Sequence, residues 1–213
     1  MKALKPAVAD PITADGADLA PLWLVRHARV LIDPGVCYGA LDVPACPQAT
    51  REAAEVLAQH LPSQAMLLTS PLQRCELLTL AVRALRPDLT HKTDARLAEM
   101  NFGCWEGQRW DSIPKTAYET WTADFWEHRF GGAESVADFM ARVAQAWAPA
   151  QAASMAGVPQ VWFTHAGVIR AVNLLSQGVH EVRDAAKWPA DAPAFGQWCC
   201  VGSPCALGTP HQA

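Results

Sequence analysis

Four side chains in this sequence could do chemistry together: the adjacent pair Arg26 and His27, then Arg74, then His165. A guanidinium grips phosphate oxygens in a bidentate way, and a neutral imidazole can attack phosphorus. Together they describe a phosphate site with a nucleophile built into it. Taken singly, each has an ordinary explanation: a lone histidine is usually structural, and an arginine in a first helical turn is usually solvated. As a set they argue otherwise. Each lies just beyond the end of an apolar run, with a helical pattern opening at Arg74 and His165 and a long loop after His27, and open α/β sheets bind ligands beyond the carboxyl ends of their strands. Helix N-termini opening after Ser70 and after His165 would add backbone N–H donors for the same anion.

The elements that must position these residues follow from periodicity. Residues 22–27 (LWLVRH) come after Pro21 and read as a strand buried on both faces. A long loop rich in proline and glycine follows. The segment 48–60 (QATREAAEVLAQH) is an amphipathic helix pattern with Ala49, Ala53, Val56, Leu57 and Leu61 on one stripe, stopped by Pro62. A short strand at 65–69 runs into Ser70-Pro71, read as an N-cap and a first helical residue for a helix over 71–86. A third strand is expected within 91–97, then a loop over 98–107 punctuated by Gly103 and Gly107. Helices are expected at 115–128 and from 134–135 to about 153, with Gly131-Gly132 between them. Residues 158–164 form a fourth strand, 167–177 a helix, 178–195 an irregular stretch and 197–201 a last strand. Strands alternating with helices give an α/β domain with a mostly parallel sheet. It is expected over 21–202, with a flexible leader at 1–20 and a flexible tail at 203–213.

Bulk composition bounds what this domain can do. The chain has 213 residues, 51% hydrophobic and 18% charged with nine tryptophans, which suits one packed globular unit. Its net charge of −4 offers no surface for nucleic acid or anionic membrane, so any anion site must be local. The first 21 residues hold three prolines and three aspartates and no apolar core, so no signal peptide is read there. A soluble, cytoplasmic protein is expected. Seven cysteines fit poorly with a complete disulfide framework, and the cluster Cys199, Cys200 and Cys205 lacks zinc-ligand spacing, so thiols are expected.

Five stretches occur in an order that resembles the histidine phosphatase superfamily, in its phosphoglycerate-mutase-like branch: RHA at 26–28, SPLQRC at 70–75, EMNFGCWEG at 99–107, GGAES at 131–135 and THAGVIR at 164–170. The loop CYGALDVP at 37–44 resembles that of the short α-ribazole phosphatases in this family, enzymes of cobalamin lower-ligand assembly. The resemblance implies a three-layer α/β/α sandwich. It makes His27 the nucleophile that becomes phosphohistidine and Glu99 the proton donor to the leaving oxygen. Arg26, Arg74, His165 and the backbone at Ala166 would hold the phosphoryl group. Arg29, Tyr38 and Glu134 are candidate substrate-side residues, and no metal or other cofactor is required. Glu106 and Glu134 are rival acids, the first placed to stabilise its own loop and the second to favour a helix dipole.

Physical chemistry gives each implied role a reason. His27 must be neutral to attack, which the neighbouring cations favour by lowering its pKa, and its other nitrogen must be held, most simply by a backbone carbonyl. The departures bear on the substrate: Ala28 and Ala166 stand where relatives carry glycine, and Arg29 where many carry a carboxylate or glutamine. The leading expectation is a metal-independent phosphomonoesterase acting on α-ribazole 5′-phosphate. The others are a broad sugar or nucleotide phosphatase, a mutase-type phosphotransferase, and a non-catalytic phosphate-binding regulatory module.

Overall fold

In the computed structural model, which describes residues 19–201, the opening strand β1 (Leu22–Arg26) turns Leu22 and Leu24 to one face and Val25 to the other. Both faces are covered. β2 (Met66–Thr69), β3 (Thr90–Thr93), β4 (Gln160–Thr164) and β5 (Trp198–Val201) complete a sheet in the order β3-β2-β4-β1-β5. All neighbours are parallel except β1 with β5. β4 inserts between β1 and β2, so the carboxyl ends of these three strands lie side by side.

Helices cover the two faces. α1 (Pro47–His60) and α2 (Gln73–Leu85) pack on the side of Val25, Leu67, Val161 and Phe163. α4 (Val136–Met155) and α5 (Ala166–Ser176) pack on the side of Leu22, Leu24 and Trp162. The expected three-layer α/β/α sandwich is thus the fold. α3 (Lys115–Ala123) and several 3₁₀ turns fill the long connection from β3 to α4 and buttress the site.

Several boundaries differ from the sequence reading for local reasons. α2 begins at Gln73 rather than residue 71, because the backbone bends at Pro71 and Leu72, Leu72 is extended, and the Asp42 carboxylate accepts from the Gln73 N–H at 2.8 Å. α3 stops at Ala123 rather than 128, since Asp124 leaves the helical region. α1 buries Thr50, Ala54 and Leu57, with Leu61 buried just past its end, while Val56 is exposed, so its stripe is rotated from the expected one. α4 starts with a capping box in which Ser135 and Asp138 exchange hydrogen bonds with each other's backbone. Among the described residues five cysteines are free as expected, but Cys200 is disulfide-bonded. Residues 1–18 of the expected leader, the tail at 203–213 and Cys205 lie outside the described residues. Among the described residues no helix is long and apolar enough to cross a membrane.

Candidate active site

His27 directly follows β1, and its N–H extends the sheet ladder by donating to the Thr164 carbonyl at 3.1 Å. Its ring is buried, with Nδ1 2.8 Å from the Ala28 carbonyl oxygen. A carbonyl only accepts, so Nδ1 carries the proton and Nε2 keeps its lone pair. Burial, and after it Arg74 and Arg26, push the imidazole pKa down to about 3, against the opposing effect of the Ala28 bond. His27 is therefore a neutral base at neutral pH. The cations expected to depress it are present, but desolvation outranks them.

Arg74 is fully buried beside it. Its Nη1 donates to the Leu41 carbonyl at 2.8 Å and Nη2 to the Gly39 carbonyl at 2.6 Å. Arg26 donates to the Pro193 carbonyl at 3.0 Å and lies 4.0 Å over the Phe195 ring. Among the described residues neither arginine forms an ion pair, whereas Arg86, Arg96, Arg109 and Arg142 each pair with a carboxylate. Burial lowers the pKa of both site arginines. The arrangement concentrates two guanidinium groups without ion-pair partners, offset by the more distant field of Glu99, where a dianion would gain most from them. Tyr38 joins them: its ring lies 5.4 Å from the Arg74 guanidinium, and its side chain hydrogen-bonds Arg26.

His165, at the end of β4, has its ring centroid 5.2 Å from that of His27. Both of its ring nitrogens are engaged by protein groups. Nδ1 accepts from Arg74 Nε at 3.3 Å, which places the proton on Nε2, 2.8 Å from the Ser70 hydroxyl. Burial first, then Arg74, lowers its pKa well below the usual range, so it too is neutral. Next to it, Ala166 opens α5 and lines the cavity in front of His27. The second expected helix N-terminus, that of α2, is closed by Asp42 and does not serve as an anion site.

Glu99 reaches the same place from the β3–α4 connection. Its Oε1 accepts from the Met100 N–H and its Oε2 from the Gly167 N–H, both at 3.0 Å. Gly167 makes this approach possible, since a Cβ there would stand 2.1 Å from Oε1. Behind Glu99, Arg142 donates to the carbonyls of Arg96, Ala98 and Glu99. Glu134 holds Arg142 through two oxygens at 2.6 and 3.0 Å, and also accepts from the Asn101 N–H. Glu134 is thus committed to orienting the Glu99 segment and does not meet the phosphate cavity as a substrate-side residue. Glu106 ties the loops at 37–44 and 99–107 together, accepting from the N–H of Ala40 and of Phe102. Arg29 is exposed, with Nη2 against Cys46 Sγ at 3.4 Å, and is not brought to the cavity.

Two adjoining cavities result. The smaller, about 110 Å³, is lined by Arg26, His27, Tyr38, Arg74, Glu99 and Ala166 and is of a size for a phosphate group. The larger, about 550 Å³, shares Arg26, Glu99, Phe102 and Trp110 with the first and continues between aromatic walls. Glu99 stands at their junction, where the bond between a phosphoryl group and its alcohol would lie.

A profile of the family described as the histidine phosphatase superfamily (branch 1) matches residues 22–186. The chain belongs to that superfamily. It is accordingly a histidine-dependent phosphatase. Among solved structures, it is similar to the mycobacterial glucosyl-3-phosphoglycerate phosphatase in its native form, at 23% identity and a TM-score of 0.70 over 85% of this chain and 89% of that one. The same enzyme complexed with VO3 matches at 25% identity and 0.69, over 85% and 92%. A protein from Thermus thermophilus matches at 27% identity and 0.63, again over 85% and 92%. No curated protein matches the chain.

Proposed function

We propose that the protein hydrolyses phosphomonoesters without a metal, through a phosphohistidine at His27. The observation that carries this reading is the hydrogen bond from His27 Nδ1 to the Ala28 carbonyl, which reserves the Nε2 lone pair for phosphorus in a cavity shared with Arg26 and Arg74. In the first step Nε2 forms a bond to phosphorus, the P–O ester bond breaks, and its electron pair leaves on the alcohol oxygen, which takes a proton from Glu99. The imidazole becomes cationic, and the Ala28 carbonyl opposite Nδ1–H stabilises that charge. In the second step water attacks phosphorus, Glu99 accepts its proton, and the N–P electrons return to Nε2. The arginines and the N–H at Ala166 match charge spread over the phosphoryl oxygens. His165 works through Arg74 and Ser70, holding the guanidinium in place. A purely regulatory phosphate-binding module has no use for a neutral nucleophile with an acid beside it.

For the substrate we favour α-ribazole 5′-phosphate and hence a place in cobalamin lower-ligand assembly. Two features support this: the 37–44 loop brings Tyr38 to the cavity, and the larger cavity is walled by aromatic rings. A phosphorylated sugar acid is the second reading, supported by the 25% identity to the mycobacterial glucosyl-3-phosphoglycerate phosphatase. Rapid quench with labelled substrate should trap an acid-labile, alkali-stable phosphoenzyme that is missing in His27→Asn. An active enzyme with no label transfer overturns the covalent mechanism. Comparing kcat/KM for α-ribazole 5′-phosphate, phosphoglycerates and sugar phosphates decides between the two substrates.

A further inference from the structure

β5 runs antiparallel to β1, with Trp198 opposite Val25, so the chain that enters β5 must pass the carboxyl end of β1. It passes in a turn at 193–197 that is tied to the catalytic pair. The Gly196 N–H is shared between the Arg26 and His27 carbonyls at 3.2 and 3.0 Å, and the Arg26 N–H donates to the Gln197 carbonyl at 2.9 Å. The Gln197 N–H closes the turn on the Ala194 carbonyl at 3.0 Å, and Arg26 Nη1 holds the Pro193 carbonyl. Gly196 is needed at this point, since its φ is +75° and a Cβ would stand 2.9 Å from the Ala53 Cβ on α1. The turn is therefore fixed between β1 and α1, and it fixes Phe195.

Phe195 meets both members of the pair. Its ring centroid is 5.4 Å from that of His27, and the Arg26 guanidinium carbon lies 4.0 Å over it. It lines neither cavity, so it approaches the pair from outside the space a substrate would fill. Phe195 is 37% exposed and His27 only 3%, so the phenyl ring takes the contact with water that the imidazole is spared. Among the described residues it is the one aromatic side chain left exposed. Burial ranks first among the causes that hold His27 neutral. The ionisable groups around His27 are Arg26 from β1, Arg74 from α2, His165 from the end of β4, and Tyr38 and Glu99 across the smaller cavity. The turn at 193–197 (PAFGQ) adds none, so it acts on His27 by excluding water.

We infer that Phe195 is a positioning residue for the nucleophile, its ring sealing the side of His27 away from the cavity and bracing Arg26 beside it. This rests on the reading of His27 as the nucleophile and adds the side chain that keeps it dry. A substrate excludes water from the cavity side only while it is bound. Phe195 excludes water from the opposite side in the free enzyme and the complex alike.

Phe195→Ala uncovers the imidazole without adding or removing a charge. Nitrogen NMR of histidine-labelled protein reads the result, with the His27 signal identified by its loss in His27→Asn. Wild-type His27 should stay neutral from pH 8 down to pH 5. In Phe195→Ala it should titrate with a midpoint of about 6, close to the ordinary histidine value. That midpoint leaves about one ring in ten neutral at pH 5, so the variant-to-wild-type ratio of kcat/KM with p-nitrophenyl phosphate should fall about 10-fold from pH 8 to pH 5. The ratio cancels the ionisation of the ester and of Glu99. Phe195→Leu keeps apolar cover and should restore both readings. An unmoved midpoint in Phe195→Ala overturns the inference whatever the rate does, and so does a midpoint as high in Phe195→Leu as in Phe195→Ala. A raised midpoint with a flat rate ratio leaves the seal standing and removes His27 as nucleophile, so the proposed mechanism fails instead. If Phe195→Ala melts too low to assay, Phe195→Val takes its place, with a smaller rise expected and an unmoved midpoint equally fatal.

Discussion

Gly167→Ala should switch off proton donation while leaving the fold intact. The added Cβ would meet Glu99 Oε1 at 2.1 Å and Cδ at 3.0 Å. Restoring an ordinary contact of 3.4 Å requires the carboxylate to retreat by about 1.3 Å. It would also surrender its 3.0 Å hydrogen bond from the Gly167 N–H. The atoms that must yield are the far end of a flexible side chain, so the backbone has no need to move. Gly167 sits in the first turn of α5, where alanine is the better helix former by up to about 1 kcal/mol. The Phe139 ring at 3.2 Å takes back part of that gain.

Displacing an acid by about 1 Å costs on the order of 10²-fold in rate, within the 10²–10⁴-fold that general acid catalysis supplies. The loss should appear with an alkyl phosphate, whose alkoxide needs a proton, and be small with p-nitrophenyl phosphate, whose phenolate does not. The assay is kcat for both substrates alongside a thermal melt. Three results would refute the reasoning: an unchanged rate with the alkyl ester, an equal fall with both esters, or a melting temperature lowered by many degrees. Adding Glu99→Asp, which withdraws the carboxylate by one methylene, should cost less in the Gly167→Ala background than in the wild type.

Four further expectations follow. Gly39→Ala should destabilise the protein by about 1–3 kcal/mol in denaturant titration, because its Cβ would stand 2.0 Å from the Met100 carbonyl, a backbone atom with nowhere to go. Arg142→Met should cost about 3 kcal/mol and lower kcat with alkyl esters, since it strips three carbonyls of the Glu99 segment of their donor and leaves Glu134 unpaired. His27 is neutral when folded and protonates near 6.5 when unfolded, so its stabilisation is full above pH 6.5 and is lost as pH falls toward its folded pKa of about 3. His165 shifts the same way, and each should add a slope of up to about 1.4 kcal/mol per pH unit near pH 5; His27→Asn should halve the slope due to the two, read from unfolding free energies at pH 5 and 6. Activity should survive exhaustive EDTA treatment, and its collapse with recovery on adding a divalent metal would sink the metal-free proposal.

The sequence showed the sheet edge well because the information is local: an apolar run, a polar pair at its end, a helix pattern behind it. That logic located His27, Arg74 and His165 at neighbouring strand ends, where the structure has them. It failed where a partner lies far along the chain. Ser70-Pro71 looked like a helix start, but the residue that closes α2 is Asp42, thirty-one positions earlier. Glu134 read as a helix-dipole or substrate-side carboxylate, and only the fold shows Arg142 beneath it and the Glu99 carbonyl beyond. Arg29 has the right charge next to the right residue, yet the chain leaves the cavity after His27 and carries it to Cys46. Eight aromatic residues fall between 102 and 130, in a stretch with no strand to bury them, and several of them wall the larger cavity.

The ranking of causes at His27 has a mechanistic meaning. Arg26 and Arg74 lower its pKa through their charge, but a bound phosphate dianion cancels much of that charge at contact distance. A nucleophile kept neutral by cations alone would therefore tend to protonate as its substrate arrived, and would lose the lone pair it needs. Desolvation does not suffer this reversal, because a ligand filling the cavity excludes more water rather than less. With burial as the leading cause and a starting value of about 3, the imidazole has a wide margin below neutral pH to absorb the dianion's pull and stay deprotonated at Nε2. The arginines are then free to act on the phosphoryl oxygens, while the walls around His27 keep it a base.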